Sequence, residues 1–238
     1  MIPPWQQGVV IKIEPARPNT LRYWIQIQGT TVFDFKPGQF VTLDLPIHEK
    51  KNKRWRSYSI ASMPDGNVIE LVVVRMEGGL GSTYLFNEVK VGSSLTLRGP
   101  QGVFTLDKVD LTQDVLMICT GTGIAPFRSM LQYIKAHSVP HKRIDLVFGT
   151  RTSADLLYDD EMKELEHLLP TFTYYPTLSR EDWDGYKGYV HEVYEKICAD
   201  RHPAQFMLCG WRGMIDEAKK RIQAMGYDYK SIHEELYG

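Results

Sequence analysis

Val115-Leu116-Met117-Ile118-Cys119-Thr120-Gly121-Thr122-Gly123-Ile124-Ala125-Pro126 runs from an apolar segment through a glycine turn into the head of a helix. The opening run is apolar without alternation, the pattern of a strand buried on both faces of a sheet. Pro126 suits a first helical turn, where a missing N–H is tolerated. From there to His137, Phe127, Met130, Leu131 and Ile134 fall on one side of a helix. A glycine turn between strand and helix lets the backbone approach an anion, and the helix N-terminus faces it with free N–H groups. A plain tight turn is the competing reading of a lone Gly-x-Gly, and the strand–turn–helix setting weighs against it.

The same rhythm continues toward the C-terminus. Apolar runs at 144–148, 172–175 and 205–209 alternate with helical patterns at 159–169, 190–199 and 213–225. That alternation predicts a doubly wound parallel α/β sheet. Toward the N-terminus the punctuation changes. Short β-branched and aromatic runs at 9–13, 21–27, 40–45, 57–61, 68–74 and 95–98 are separated by Pro-Asn, Pro-Gly, Asp-Gly-Asn and Gly-Gly breaks. They predict an antiparallel barrel or sandwich. One helical insert, 82–89, has Ser82 or Gly81 available as its cap. Two domains follow, 1–106 and 107–238.

Composition narrows the function. The 238 residues are 43% hydrophobic and 24% charged with a net charge of −1, which removes the main reason to expect nonspecific nucleic-acid binding. Cys119, Cys198 and Cys209 are too few and too scattered for a disulfide framework, an iron–sulfur centre or a structural zinc, so no metal is expected. The N-terminal segment lacks a signal-peptide pattern, and no run approaches ~20 apolar residues. A cytoplasmic protein with reduced thiols is the expectation.

In the strand half, Arg56-Ser57-Tyr58-Ser59 places Arg56 and Tyr58 on one face and Ser57 and Ser59 on the other. Arg with Tyr on one side can grip a phosphate and stack an aromatic ring; a solvated edge strand is the plainer account. Gly99-Pro100-Gln101-Gly102 reads as a rigid turn closing the last strand of this half. Cys209-Gly210 ends a buried strand, where open α/β sheets bind ligands.

With Gly81-Ser82-Thr83 and the C-terminal Glu235-Leu236-Tyr237, these motifs stand in an order that resembles the ferredoxin–NADP reductase superfamily along essentially the full chain. The resemblance implies an N-terminal Greek-key β-barrel holding FAD and a C-terminal Rossmann-like domain holding NAD(P). It further implies that Arg56 pairs with the FAD pyrophosphate, Tyr58 packs on the flavin and Ser59 hydrogen-bonds near flavin N5. Ser57 belongs to the same FAD strand, and Gly81, Ser82 and Thr83 supply donors to the pyrophosphate. Gly121, Thr122, Gly123 and Pro126 form the NAD(P) turn. Cys209, with Gly210, sits beside the nicotinamide as a positioning group. Tyr237 covers the flavin face and Glu235 orients the nicotinamide or relays protons. This chain departs from many relatives in carrying Trp211 after Cys209-Gly210, and Gly238 after Tyr237.

Arg151 follows the second strand of the nucleotide half and can meet a phosphate or ribose. Ser179, Arg180, Lys187 and Tyr189 correspond to an element that grasps the adenosine 2′-phosphate in NADPH-using relatives. Glu181, Asp182 and Asp184 share that loop, so the expected coenzyme is NAD(P)H with only a slight lean to NADPH. The implied activity is an FAD-dependent NAD(P)H oxidoreductase that takes hydride at flavin N5 and passes single electrons to a separate carrier, a ferredoxin or flavodoxin. Lys50, Lys51, Lys53 and Arg54 are the candidate docking cations, and equally an ordinary exposed loop. The alternatives are an NAD(P)H:flavin reductase with diffusing flavin, which Gly81-Ser82-Thr83 argues against, and a nucleotide-binding electron-transfer subunit of a larger complex.

Overall fold

The computed structural model describes residues 3–237. Contacts divide the chain into two units. The first extends to Leu106 and also takes in Ala125–Ala136; the second holds Asp107–Ile124 and the chain from His137 onward.

In the first unit, strands β1 (Trp5–Arg17), β2 (Thr20–Ile27), β3 (Phe40–Asp44), β4 (Trp55–Ser59), β5 (Val68–Val74) and β6 (Ser94–Gln101) form an antiparallel sheet in the order β4-β3-β6-β1-β2-β5. An antiparallel bridge between Ile60 and Leu71 joins the two ends of that order, closing the sheet into a barrel. Joining edge strands in this way is how all-β domains limit exposed ladders. Strand β2 alternates in burial, with Tyr23, Ile25 and Ile27 inward. They pack with Val41, Leu43, Ile60, Ile69, Leu71 and Leu97. Each such aliphatic side chain contributes about 1.5–3 kcal/mol on burial. The buried Tyr23 hydroxyl donates to the Leu85 carbonyl (2.9 Å), which ties the inserted helix α1 (Leu80–Glu88) to the barrel.

Two local expectations shift. Strand β4 begins at Trp55 rather than at Ser57, because its register with β3 already starts at the Asp44–Trp55 pair. Gly99-Pro100-Gln101 is not a turn but the last part of β6, with Gln101 opposite Phe40 of β3. The Gly99–Pro100 peptide is cis.

The second unit is a parallel sheet of β7 (Asp114–Thr120), β8 (Ile144–Thr150), β9 (Phe172–Leu178), β10 (Tyr186–Lys187), β11 (Ala204–Trp211) and β12 (Ile232–Tyr237), ordered β10-β9-β8-β7-β11-β12. Helices α2 (Ile124–His137), α3 (Asp159–Leu168), α4 (Val190–Ile197) and α5 (Arg212–Ala224) alternate with the strands along the chain. The strands β7, β8 and β11 are almost wholly buried, as their unbroken apolar runs require. The order reverses at β7, so the carboxyl ends of β7 and β11 flank the crevice where open α/β sheets take ligands. No described helix is long and apolar enough to cross a membrane.

Candidate functional site

The first unit's site is built on β4 and the head of α1. Gly79 is the N-cap residue, and the Thr83 N–H makes the first helical bond, to the Gly79 carbonyl (2.9 Å). The N–H groups of Leu80, Gly81 and Ser82 precede the ladder and point out of the helix end. Ser82 does not cap the helix. Its hydroxyl accepts from the Met76 N–H (3.0 Å) and donates to the Gly79 carbonyl (3.1 Å), closing the turn that leads into the helix. Of the hydroxyls in Gly81-Ser82-Thr83, Ser82's is therefore taken up internally, while Thr83 lines an open pocket with Asn19, Arg75, Met76, Glu77 and Gly78. Arg75 was not singled out from the sequence, although it stands directly before the Met76–Gly79 turn.

Arg56 lies over this helix end. A Cβ on Gly81 would come within 2.8 Å of Arg56 Cγ, so glycine is what allows the side chain to lie there. Its Nη1 donates to the carbonyls of Lys53 (3.0 Å) and Trp55 (2.7 Å), which fixes the guanidinium. A fixed guanidinium beside a free helix N-terminus suits a diphosphate. Tyr58 shares its face with Arg56, opposite Val41 and Leu43. It is half-buried against the barrel core, and burial pushes its phenol up to about 12, partly offset by Arg56, so it stays neutral at working pH. On the other face, Ser57 is exposed and shares a hydrogen bond with Thr42 (3.2 Å), while Ser59 is buried.

The second unit's site lies at the carboxyl edge of its sheet. Gly121 has φ +54°, and no atom lies near the Cβ it lacks. Gly123 is different, since a Cβ there would meet the Cys209 carbonyl at 2.4 Å. A Cβ on Gly210 would come within 2.6 Å of Thr120 Oγ1. Glycines thus let the β7 turn and the end of β11 close on each other while Gly121 faces open space. The helical geometry begins earlier than expected: a 3-10 turn at Gly121–Gly123 leads straight into α2 at Ile124, which places Pro126 within the first turn.

Cys209 stands beside Cys119 on β7 and Glu235 on β12 in the sheet register. It is fully buried, and burial above all, with Glu235 and Cys119 adding, holds its thiol well above the usual range, while Tyr237 pulls the other way. A thiol in that state is not a nucleophile. Residues 232–237 form a paired edge strand, with Glu235 and Tyr237 on one face and Glu234 and Leu236 on the other. Gly238 lies outside the described residues. Trp211 is exposed, its ring lying over Gly213 at the start of α5.

The loops after β8 and β9 are laced together. The N–H and hydroxyl of Ser179 donate to the Thr150 carbonyl (3.0 and 3.2 Å), and the Arg180 N–H to the Arg151 carbonyl (2.9 Å). Arg151 and Arg180 are both exposed. Lys187 is paired with Asp182, and the Glu181 carboxylate accepts from the Ser153 N–H (2.7 Å) and hydroxyl (2.9 Å). Tyr189 is the exposed N-cap residue of α4.

Residues 7–106 match the oxidoreductase FAD-binding domain family and residues 117–220 the oxidoreductase NAD-binding domain family. The chain is 34% identical to ferredoxin–NADP reductase B of Sorangium cellulosum over 96% of both chains. It is 32% identical to a glycine betaine monooxygenase reductase subunit of Pseudomonas aeruginosa, covering 87% of this chain but 57% of that protein. A ferredoxin NADP+ reductase from Neisseria gonorrhoeae, solved with bound FAD and NADP, shares the fold with a TM-score of 0.80 at 23% identity over 98% of each chain. The chain belongs to the ferredoxin–NADP reductase family and is an FAD-dependent NAD(P)H oxidoreductase.

Proposed function

We propose that this oxidoreductase draws on NADPH in preference to NADH and delivers electrons to a separate ferredoxin or flavodoxin. In this reading 1–106 is the FAD domain and 107–238 the NAD(P) domain. FAD, when bound, supplies the chemistry that converts a two-electron hydride donor into single-electron delivery. Arg56 and the N–H groups of Leu80, Gly81 and Ser82 hold its diphosphate, with the Thr83 hydroxyl beside them. Tyr58 offers a neutral ring to the flavin, with Ser57 on the same strand and the Ser59 hydroxyl toward N5.

The turn Gly121-Thr122-Gly123, with Pro126 behind it, receives the nucleotide diphosphate. Cys209, kept protonated, and Gly210 shape the nicotinamide position; Glu235 orients it and Tyr237 competes for the same face. Arg151 and Arg180, with Tyr189, receive the 2′-phosphate, and Ser179, whose N–H and hydroxyl both go to the Thr150 carbonyl, holds the loop that carries Arg180. Lys187 joins them once Asp182 yields it. The observation that supports NADPH is the exposure of Arg151 and Arg180 on loops joined by backbone hydrogen bonds, with neither guanidinium in an ion pair among the described residues. A dianion placed there gains from both.

Lys50, Lys51 and Lys53 are likewise exposed and pair with no carboxylate among the described residues, whereas Arg54 is held by Asp44 (2.8 Å). Free cations of this kind suit an acidic carrier. A cytoplasmic setting belongs to the same reading and is compatible with the three unpaired, buried thiols.

The test is an absorbance spectrum of desalted protein followed by anaerobic NADPH and, separately, NADH. A retained flavin band bleached faster by NADPH is the expected result. Equal or faster bleaching by NADH removes the 2′-phosphate assignment. Colourless protein that turns over only with added flavin replaces the reading with a flavin reductase.

A further inference from the structure

Helix α2 is anchored by a buried charge cluster that none of the cofactor roles uses. Its leading turn, Gly121–Gly123, groups with the parallel sheet, yet its body, Ala125–Ala136, groups with the barrel unit. Within that body Arg128 is only 7% exposed. Its Nη1 donates to the Ala61 carbonyl (2.9 Å) and to Glu70 Oε2 (2.9 Å). Glu70 is 2% exposed, and its other oxygen accepts from Arg22 Nε (2.6 Å). Around it the backbone is cross-tied, with the Ala61 N–H donating to the Glu70 carbonyl (2.8 Å) and the Glu70 N–H to the Ser62 hydroxyl (3.0 Å). One helical turn further on, Gln132 accepts from the Met63 N–H (3.3 Å).

The same helix face thus grips 61–63, the segment that continues directly from Ser59, at two successive turns. A buried ion pair is a poor source of net stability, because desolvation offsets the attraction, but its bonds are directional in a way apolar contacts are not. Phe127, Met130, Leu131 and Ile134 already supply the apolar contact of α2. What Arg128 adds is a defined register for the helix. From Arg128 back to Ile124 the helix spans only about 6 Å, so a register set at Arg128 is passed with little loss to Gly121–Gly123.

We infer that Arg128 is a positioning residue for nucleotide binding and hydride transfer, acting through α2 on the 121–123 turn; this rests on the reading of that turn as the nucleotide diphosphate site. The test uses FAD-loaded wild type, Arg128→Met, Arg128→Lys and Glu70→Gln. NADP+ affinity is measured by isothermal titration, and the limiting rate of flavin reduction by stopped flow. Arg128→Met is expected to weaken NADP+ binding or slow limiting reduction by about tenfold, the scale on which small misplacements act. FAD content should be unchanged, and Arg128→Lys should recover part of the loss. Affinity and rate per bound FAD both at wild-type values, whatever the melting temperature, overturn the inference. If Arg128→Met does not fold, Glu70→Gln, which keeps the shape and removes the charge, is read by the same two criteria. Wild-type protein that binds neither NADP+ nor NAD+ refutes the reading of the 121–123 turn itself, a result separate from normal binding that ignores Arg128.

Discussion

Arg180 and Glu181 are adjacent and pull coenzyme choice in opposite directions. The Arg180 backbone is pinned to Arg151, while the Glu181 carboxylate is held by Ser153 of the same loop pair. Arg180→Ala should raise the KM for NADPH about tenfold and that for NADH less than threefold, the difference being one lost charge-assisted phosphate contact of about 1.5 kcal/mol. Steady-state kinetics with both coenzymes measures this, and equal losses would remove Arg180 from phosphate recognition. Cys209 makes a separate case. Its thiol is uncharged and wedged between Cys119 and Glu235, so Cys209→Ala should leave FAD content intact and slow flavin reduction several-fold through loosened packing. A normal stopped-flow rate would confine Cys209 to filling space.

Helix α1 and strand β12 show what elements contribute. In α1 the glycine at 81 is what lets Arg56 cross the helix end, so Gly81→Ala should push the guanidinium aside and weaken FAD retention by about tenfold or more, by the loss of one charge-assisted bond. The flavin absorbance remaining after desalting reports it; full retention would mean that Arg56 is not the diphosphate ligand. The helix was legible from local composition, but the role of Ser82 was not. Its hydroxyl is drawn back to Met76 by a turn whose shape depends on Gly78 and Gly79. Strand β12 was hidden for a similar reason: Glu235-Leu236-Tyr237 has no strand pattern by itself and becomes one by pairing with Cys209-Gly210-Trp211. That pairing, with Lys219 holding Glu234 at 2.8 Å, is what places Tyr237 on the same face as Glu235.

Over the whole molecule a net charge of −1 conceals local asymmetry. Lys50, Lys51 and Lys53 remain without carboxylate partners among the described residues, while Lys12, Lys142, Lys163 and Lys219 are each paired. Replacing Lys50, Lys51 and Lys53 together with Glu should slow electron delivery to an acidic carrier by ten- to a hundredfold at low salt, with the gap narrowing as ionic strength rises. Reduction of a small inorganic acceptor such as ferricyanide should change far less. Unchanged carrier rates would place docking elsewhere.

Some features follow from neighbours in the chain alone. The unbroken apolar run 115–119, the glycine turn after it and the short alternating strands before residue 106 each express local sterics and periodicity, and so determine two β-containing units and a strand–glycine turn–helix junction. The motif order then determines the family. Other features follow from groups that meet only after folding. That Arg128 answers to Glu70 and Ala61, that Tyr237 answers to Cys209, and that Gly123 and Gly210 let two strand ends close are consequences of contacts between residues far apart in sequence. Tertiary structure decided these because a buried charge, thiol or bare glycine acquires its role from the partner that burial imposes, and no local pattern names that partner.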